Sequence, residues 1–157
     1  MTQTTPQEKL EDDEIGSFKD DRFLKMEWGG RQTDWLLQWL VKFVNGTSLD
    51  IGVTLTVGGS FIHGDLISHD SYFELMSSNF SSAFSKFEGV DVDEFKETIK
   101  SMNAQPESKE GEELPPCQYL HLKNVKVSSG AGPLSFTGAL WRGKISAVEG
   151  FNLGRPQ

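Results

Sequence analysis

Apolar and polar residues follow two rhythms along this chain, and the switches between them predict the order of its elements. From about Thr33 or Asp34 to Asn45-Gly46, Trp35, Leu36, Trp39, Leu40 and Phe43 recur at three- and four-residue steps. That spacing gathers them on one face of a helix. Leu37, Val41 and Val44 widen the face, so burial on more than one side is expected. Thr33 or Asp34 can cap the first free N–H groups, and Asn45-Gly46 offers a left-handed stop. Leu49, Ile51, Val53, Leu55 and Val57 then alternate with polar or small residues, the period of a half-buried strand. Gly58-Gly59 makes a tight turn, and Phe61–Ser68 returns as a second strand.

The helical rhythm resumes at Ser71-x-x-Glu74, which reads as a capping box. Tyr72, Phe73, Met76, Phe80, Phe84 and Phe87 form a stripe behind it, with serines opposite. Asp91 or Asp93 starts a further short helix carrying Phe95, Ile99 and Met102. A proline-rich break follows, then three strands near 118–128, 134–142 and 144–153. Gly130-Ala-Gly-Pro133 separates the first two of these, and Gly143 the last two. The expected fold is α+β. An N-terminal helix precedes a small, five-stranded, strongly bent antiparallel β-barrel or roll, with a helical insertion between strands two and three. A roll with one open sheet is the alternative to the closed barrel. No internal repeat is visible.

Composition trims this picture. The apolar share is 36%, low for a packed chain of 157 residues. Residues 1–30 are polar and acidic, with Glu11-Asp-Asp-Glu14 and Asp20-Asp21, and residues 103–116 lack any period and end in Pro115-Pro116. Both stretches are expected to be mobile, because they bury too little surface to offset ordering entropy. The domain plan is an acidic mobile arm (1–30) and one α+β domain (31–157) with a helical and acidic insertion at 69–116.

The net charge of −8 argues against a partner held through phosphates. DNA is not expected, nor is RNA, although Lys123, Lys126, Arg142, Lys144 and Arg155 fall together in the C-terminal strands. Cys117 is the lone cysteine and has no disulfide partner, which suits a reducing compartment. The acidic N-terminus has no hydrophobic stretch, so no signal peptide is expected. The longest apolar segment, Trp35–Val44, is too short to span a bilayer. A cytoplasmic protein without membrane attachment is expected.

No catalytic pattern emerges. His63, His69 and His121 lack a cysteine at ligand spacing and form no H-x-x-x-H, so neither a metal nor a cofactor is expected. His63 and His121 are candidates to face one another on paired strands. Cys117 has no motif that supplies a base. The serines of 77–85 lack a G-x-S-x-G elbow, and Gly58-Gly59 and Gly130–Gly132 do not lead into a phosphate-cradling run. A non-enzymatic binding protein is expected. Four tryptophans and eleven phenylalanines are many for the interior available. Trp35, Trp39, Phe80, Phe84, Trp141 and Arg142 are therefore the candidate partner or oligomer surface, with self-association expected.

Two resemblances bear on these residues. Gly64-x-Leu66-x-x-His69-Asp70 and Trp141-Arg142-Gly143 resemble the two motifs of Sm-like proteins, which implies a bent barrel of Sm/SH3 type and, as an alternative function, an RNA-binding module. Glu74 stands where that family's asparagine would be, and a carboxylate cannot donate a hydrogen bond. A longer match points elsewhere. Ser48-Leu-Asp-Ile51, the hairpin ending Gly64-x-Leu66-Ile67-Ser68, Tyr72-Phe73, His121-Leu-Lys-Asn124, Trp141-Arg-Gly-Lys-Ile145 and Val148-x-Gly150-Phe151-x-Leu153-Gly154 resemble the gas vesicle accessory protein family GvpU. That resemblance implies a bacterial, vesicle-associated protein without catalytic residues. It would act in assembly or clustering of gas vesicles and bind shell or other accessory proteins.

Overall fold

In the computed structural model, residues 33–89, 91–103, 115–135 and 139–154 are described. The expected mobile arm and residues 104–114 of the acidic stretch lie outside the described residues. The first helix among the described residues, α1, spans Trp35–Thr47. Asp34 caps it, its carboxylate accepting from the N–H groups of Leu36 (2.8 Å) and Leu37 (3.3 Å). Its end comes later than expected: Gly46 is helical, and Ser48 takes the left-handed conformation (φ 55°) instead. Asn45 is engaged elsewhere, its side chain accepting from the backbone N–H of His69 at 2.9 Å.

Strands β1 (Ile51–Val57) and β2 (Ser60–Ile67) form the expected hairpin. Gly58 and Gly59 both have positive φ, the requirement of the two-residue turn that matches strand twist. Helices α2 (His69–Phe84) and α3 (Val92–Ser101) follow, the latter capped by Asp91. Strand β3 (Tyr119–Ser129) then pairs along β2. Where three strands were expected near the C-terminus, four occur: β3, β4 (Gly132–Ser135), β5 (Trp141–Lys144) and β6 (Gly150–Leu153). Pro133 is tolerated within β4 because that strand lies at an edge. Gly143 does not break a strand as expected. It lies inside β5, where a Cβ would fall 1.9 Å from the Trp141 ring. The break is a 3-10 turn at Ile145–Ala147.

The six strands of the described residues make one antiparallel sheet, ordered β4-β3-β2-β1-β6, with β5 paired to the first half of β3. The sheet is open, not a closed five-stranded barrel, since β6 and the β4/β5 side share no pairing. It is nonetheless strongly curled, as its connections require. Lys144 lies beside Tyr119 on β3, and Gly150 lies beside Thr56 on β1, at the other edge and the other end. In a flat sheet those points would stand about 35 Å apart, from strand spacing and rise. Residues 145–149 join them, and that link reaches about 20 Å at full extension. Ile145 holds the link down. Its side chain is 1% exposed in the core, and its N–H donates to the Gln118 carbonyl at 3.0 Å. At the far end the Glu149 N–H reaches the Thr56 carbonyl at 2.9 Å.

Curling also needs a bend inside the sheet. The β2–β3 register slips between His63 and Asp65, which lie opposite Lys126 and Lys123. The extra β3 residue forms a bulge. There Asn124 has φ 55° and donates through its side chain to Asp65 at 2.8 Å. Gly64 lies against the bulge with no room for a side chain, for a Cβ would stand 2.9 Å from the Lys123 carbonyl oxygen and 3.2 Å from the Leu122 Cβ.

Strands β2 and β3 alternate between two packed layers. Val53, Leu55, Ile62, Leu66, Leu120, Leu122, Val125 and Ile145 pack with Leu37, Leu40, Val41 and Val44 of α1 inside the curl. On the other face Ile67 meets Tyr72, Phe73 and Ile99 of the α2–α3 pair. Replacing Gly64 with alanine is expected to destabilise the fold by about 1–3 kcal/mol, as overpacking does. Denaturant unfolding checks this; an unchanged midpoint would show that the sheet does not need its bend there.

Candidate functional site

Alternation along β3 puts Leu120 and Leu122 in the core and sends His121 to the opposite face, under α2. There the imidazole is 1% exposed. Its ring centroid lies 4.3 Å from Tyr72, 4.6 Å from His69 (edge-on) and 6.4 Å from Phe73. Arg142, its register partner on β5, donates from Nη1 to Nε2 at 3.1 Å, which leaves the imidazole proton on Nδ1. The guanidinium covers the Tyr119 ring at 4.1 Å and stands 5.9 Å from Phe73. Burial pushes the His121 pKa down to about 3, with His69 and Arg142 adding to the effect. His69 is lowered too, by burial and then by Arg142, with Asp70 opposing. At neutral pH, His121 is therefore a neutral acceptor that joins β3, β5 and α2. So low a pKa makes it a poor general base.

Expectation and structure part company at the histidines. His63 does not face His121. Thr54 donates to the Gly154 carbonyl at 3.0 Å and so accepts from His63 Nδ1 at 3.1 Å, while Nε2 stands 3.4 Å from Ser128 Oγ. The true pair is His69 with His121. One signal in the sequence points to it: His121 falls on the strand parity opposite Leu120 and Leu122, and His69 opens a helix. Among the described residues, no group of three or more His, Cys, Asp or Glu side chains is placed to hold a metal ion.

Residues that resembled an RNA site are engaged within the fold. Helix α2 opens at His69 rather than Ser71, because Ser68 is the cap and accepts from the Ser71 N–H at 3.1 Å. Glu74 closes no capping box but pairs with Lys100 of α3 at 3.4 Å. Asp70 accepts from Asn103, and Arg142 serves His121 rather than a carboxylate. Lys123 pairs with Asp50.

The six candidate surface residues fall on three different elements. Trp35 is half-buried and Trp39 is 44% exposed, stacked on Phe43 with centroids 5.4 Å apart. The inward face of α1 is Leu37, Leu40, Val41 and Val44, so Leu36, Trp39 and Phe43 form an outward stripe instead of the expected core face. Phe84 is half-buried and Phe80 exposed, and both rings pack on Phe95 of α3 at 4.7 and 6.3 Å. The serines expected on the open side of α2 include two buried ones, Ser77 and Ser81. On β5, Trp141 is half-buried over Gly143, and Arg142 is exposed apart from its contacts with His121 and Tyr119.

The His121 cluster has a measurable consequence. Its pKa is lower folded than unfolded, so unfolding takes up a proton at any pH between about 3 and 6.5. The stabilising contribution is complete above about pH 6.5. It is lost at roughly 1 kcal/mol per pH unit as the pH falls towards about 3. His121→Phe is expected to flatten that part of the stability–pH profile in denaturant titrations; an unaltered slope would contradict the buried neutral imidazole.

A family model described as gas vesicle protein GvpU-like matches residues 34–156. Neither the curated proteins nor the solved structures contain a significant match to the chain. The matched span begins at the α1 cap and runs past β6, taking in the curled sheet, the α2–α3 pair and the His121 cluster. By that match, which covers most of its length, the chain belongs to the GvpU-like family of gas vesicle proteins.

Proposed function

We propose that this protein is a non-enzymatic accessory factor in the assembly or clustering of gas vesicles. It works by associating with itself and by binding shell or other accessory proteins, in the cytoplasm and at the vesicle. One observation carries the reading beyond family membership: the stripe of Leu36, Trp39 and Phe43 on the outside of α1, left open although α1 already buries a full apolar face. A helix apolar on two sides has a second packing partner or pays for exposed surface in solubility. Phe80 and Phe87 extend the exposed aromatic surface on and after α2. No helix among the described residues is long and apolar enough to cross a membrane, which agrees with a role in contact with proteins.

Weak contacts suffice for clustering, because many copies on one particle multiply a small affinity. Cells that make vesicles without this chain are expected to show altered vesicle number, size or clustering by electron microscopy. Normal vesicles in such cells would overturn the proposal. Trp39→Ser together with Leu36→Ser should leave folding stability within about 1 kcal/mol, since both side chains are substantially exposed. The same pair should abolish rescue of the vesicle phenotype, and full rescue would remove α1 from the contact.

A further inference from the structure

An open sheet ends in strands whose outer backbone groups another chain can pair with. Among the described residues, β4, β5 and β6 are the strands at the edges. Two of them are guarded. Strand β4 contains Pro133, which has no N–H to offer. In β5 the guard is charge. The Ile145 N–H donates to the Gln118 carbonyl, so alternation along the register turns the backbone of Gly143 and Trp141 towards β3 and that of Arg142 and Lys144 outwards. Both outward residues are cationic and exposed.

Strand β6 has neither device. The Gly154 N–H donates to the Gly52 carbonyl at 2.7 Å, so the same alternation points the backbone of Asn152 and Gly150 at β1. The N–H and C=O groups of Phe151 and Leu153 therefore face away from the sheet, and no strand among the described residues pairs with them. Gly150–Leu153 holds neither a proline nor a charge. Leu153 is 66% exposed, and Asn152 stands exposed on the other face, beside Thr54.

The occupant that this edge fits is its own copy. A two-fold axis through Asn152 sets Phe151 opposite the partner's Leu153, and Leu153 opposite the partner's Phe151. Residues so paired exchange both of their hydrogen bonds, which uses every outward N–H and C=O of both strands. Asn152 then meets the partner's Asn152 on the axis, at a position between those pairs where side chains approach most closely. An amide both donates and accepts, so it complements itself there, as a lysine or a glutamate would not. Phe151 and Leu153 give an apolar cross-strand pair on the opposite face.

We infer that two copies of this chain pair antiparallel through β6, about an axis at Asn152, so that one sheet continues into the other. The inference rests on the self-association proposed above and assigns it to this edge rather than to α1. A four-residue strand buries far less than the roughly 1,200 Å² of a specific, stable contact. The pair is therefore weak and reversible. Each copy carries a net charge of −8, so added salt strengthens it.

Amide resonances of the purified full-length protein, followed from about 10 μM to about 1 mM, test this. Those of Gly150–Gly154 are expected to shift with concentration. Asn152→Lys and Asn152→Asp each place like charges on the axis and should weaken the pairing about fivefold. Mixing the two variants should restore it, because lysine then faces aspartate. Residue 152 is exposed, so both variants should unfold at the same denaturant midpoint as the unmodified protein. Shifts at β6 that survive both substitutions, with no gain on mixing, would overturn the inference. Concentration-dependent shifts confined to Leu36, Trp39 and Phe43 would overturn it too, while leaving self-association standing. A spectrum independent of concentration would overturn both, and the vesicle phenotype would still report on binding to vesicle proteins.

Discussion

Five residues between β5 and β6 set the shape of this protein. The link from Ile145 to Glu149 is too short to cross a flat sheet, so the strands must curl until its ends come within reach. Curling creates the concave interior that α1 fills, and it makes the slip in register at Gly64 necessary. Ile145 is at once the start of the link and part of the core, so collapse of the interior and closure of the link favour one another. The sheet stays open at its edges, yet its curvature is as constrained as if they had met.

A sheet packed on both faces has different chemistry on each. Inside the curl the buried contacts are aliphatic, with Leu, Val and Ile from β1, β2, β3, the Ile145 turn and α1. Outside, α2 is held by a mixed cluster in which a buried imidazole, a guanidinium and three aromatic rings share one patch. Such a cluster is directional, for Arg142 must reach Nε2 of His121 and stand over the Tyr119 ring together. It fixes where α2 sits on the sheet more sharply than aliphatic packing would. The residues that looked like a nucleic-acid site, Asp70, Glu74 and Arg142, belong to this fastening and to the α2–α3 contacts around it.

Much of this was legible from residue order. Asp34, Asp91 and the Gly58-Gly59 turn did what their chemistry requires, because capping and tight turns are decided by neighbouring residues. The aromatic helix was harder. In α1, Trp35, Leu36, Trp39, Leu40 and Phe43 form as good a stripe as Leu37, Leu40, Val41 and Val44, and periodicity cannot say which one meets the sheet. Gly143 looked like a turn because a close approach by its own neighbour, Trp141, is invisible without coordinates. The pairing of His69 with His121 joins positions 52 residues apart, and the β3 bulge behind it arises from Asn124 adopting an unusual backbone angle. The family resemblance carried the function further than the residues alone, which exclude chemistry more readily than they nominate a partner.

The serines of α2 have a consequence of their own. Ser77, Ser81, Ser82 and Ser85 each turn a hydroxyl back to a carbonyl three residues earlier, a habit that weakens a helix from within. Helix α3 contributes one buried side chain, Ile99, to the cluster it shares with Ile67, Tyr72 and Phe73. The molecule is thus graded in cohesion: a curled sheet with α1 locked inside it, and a looser lobe clipped to its back. Parting of that lobe from the sheet would uncover Ile67, Tyr72, Phe73 and His121, so the aromatic fastening, more than the helix's own backbone, keeps it in place.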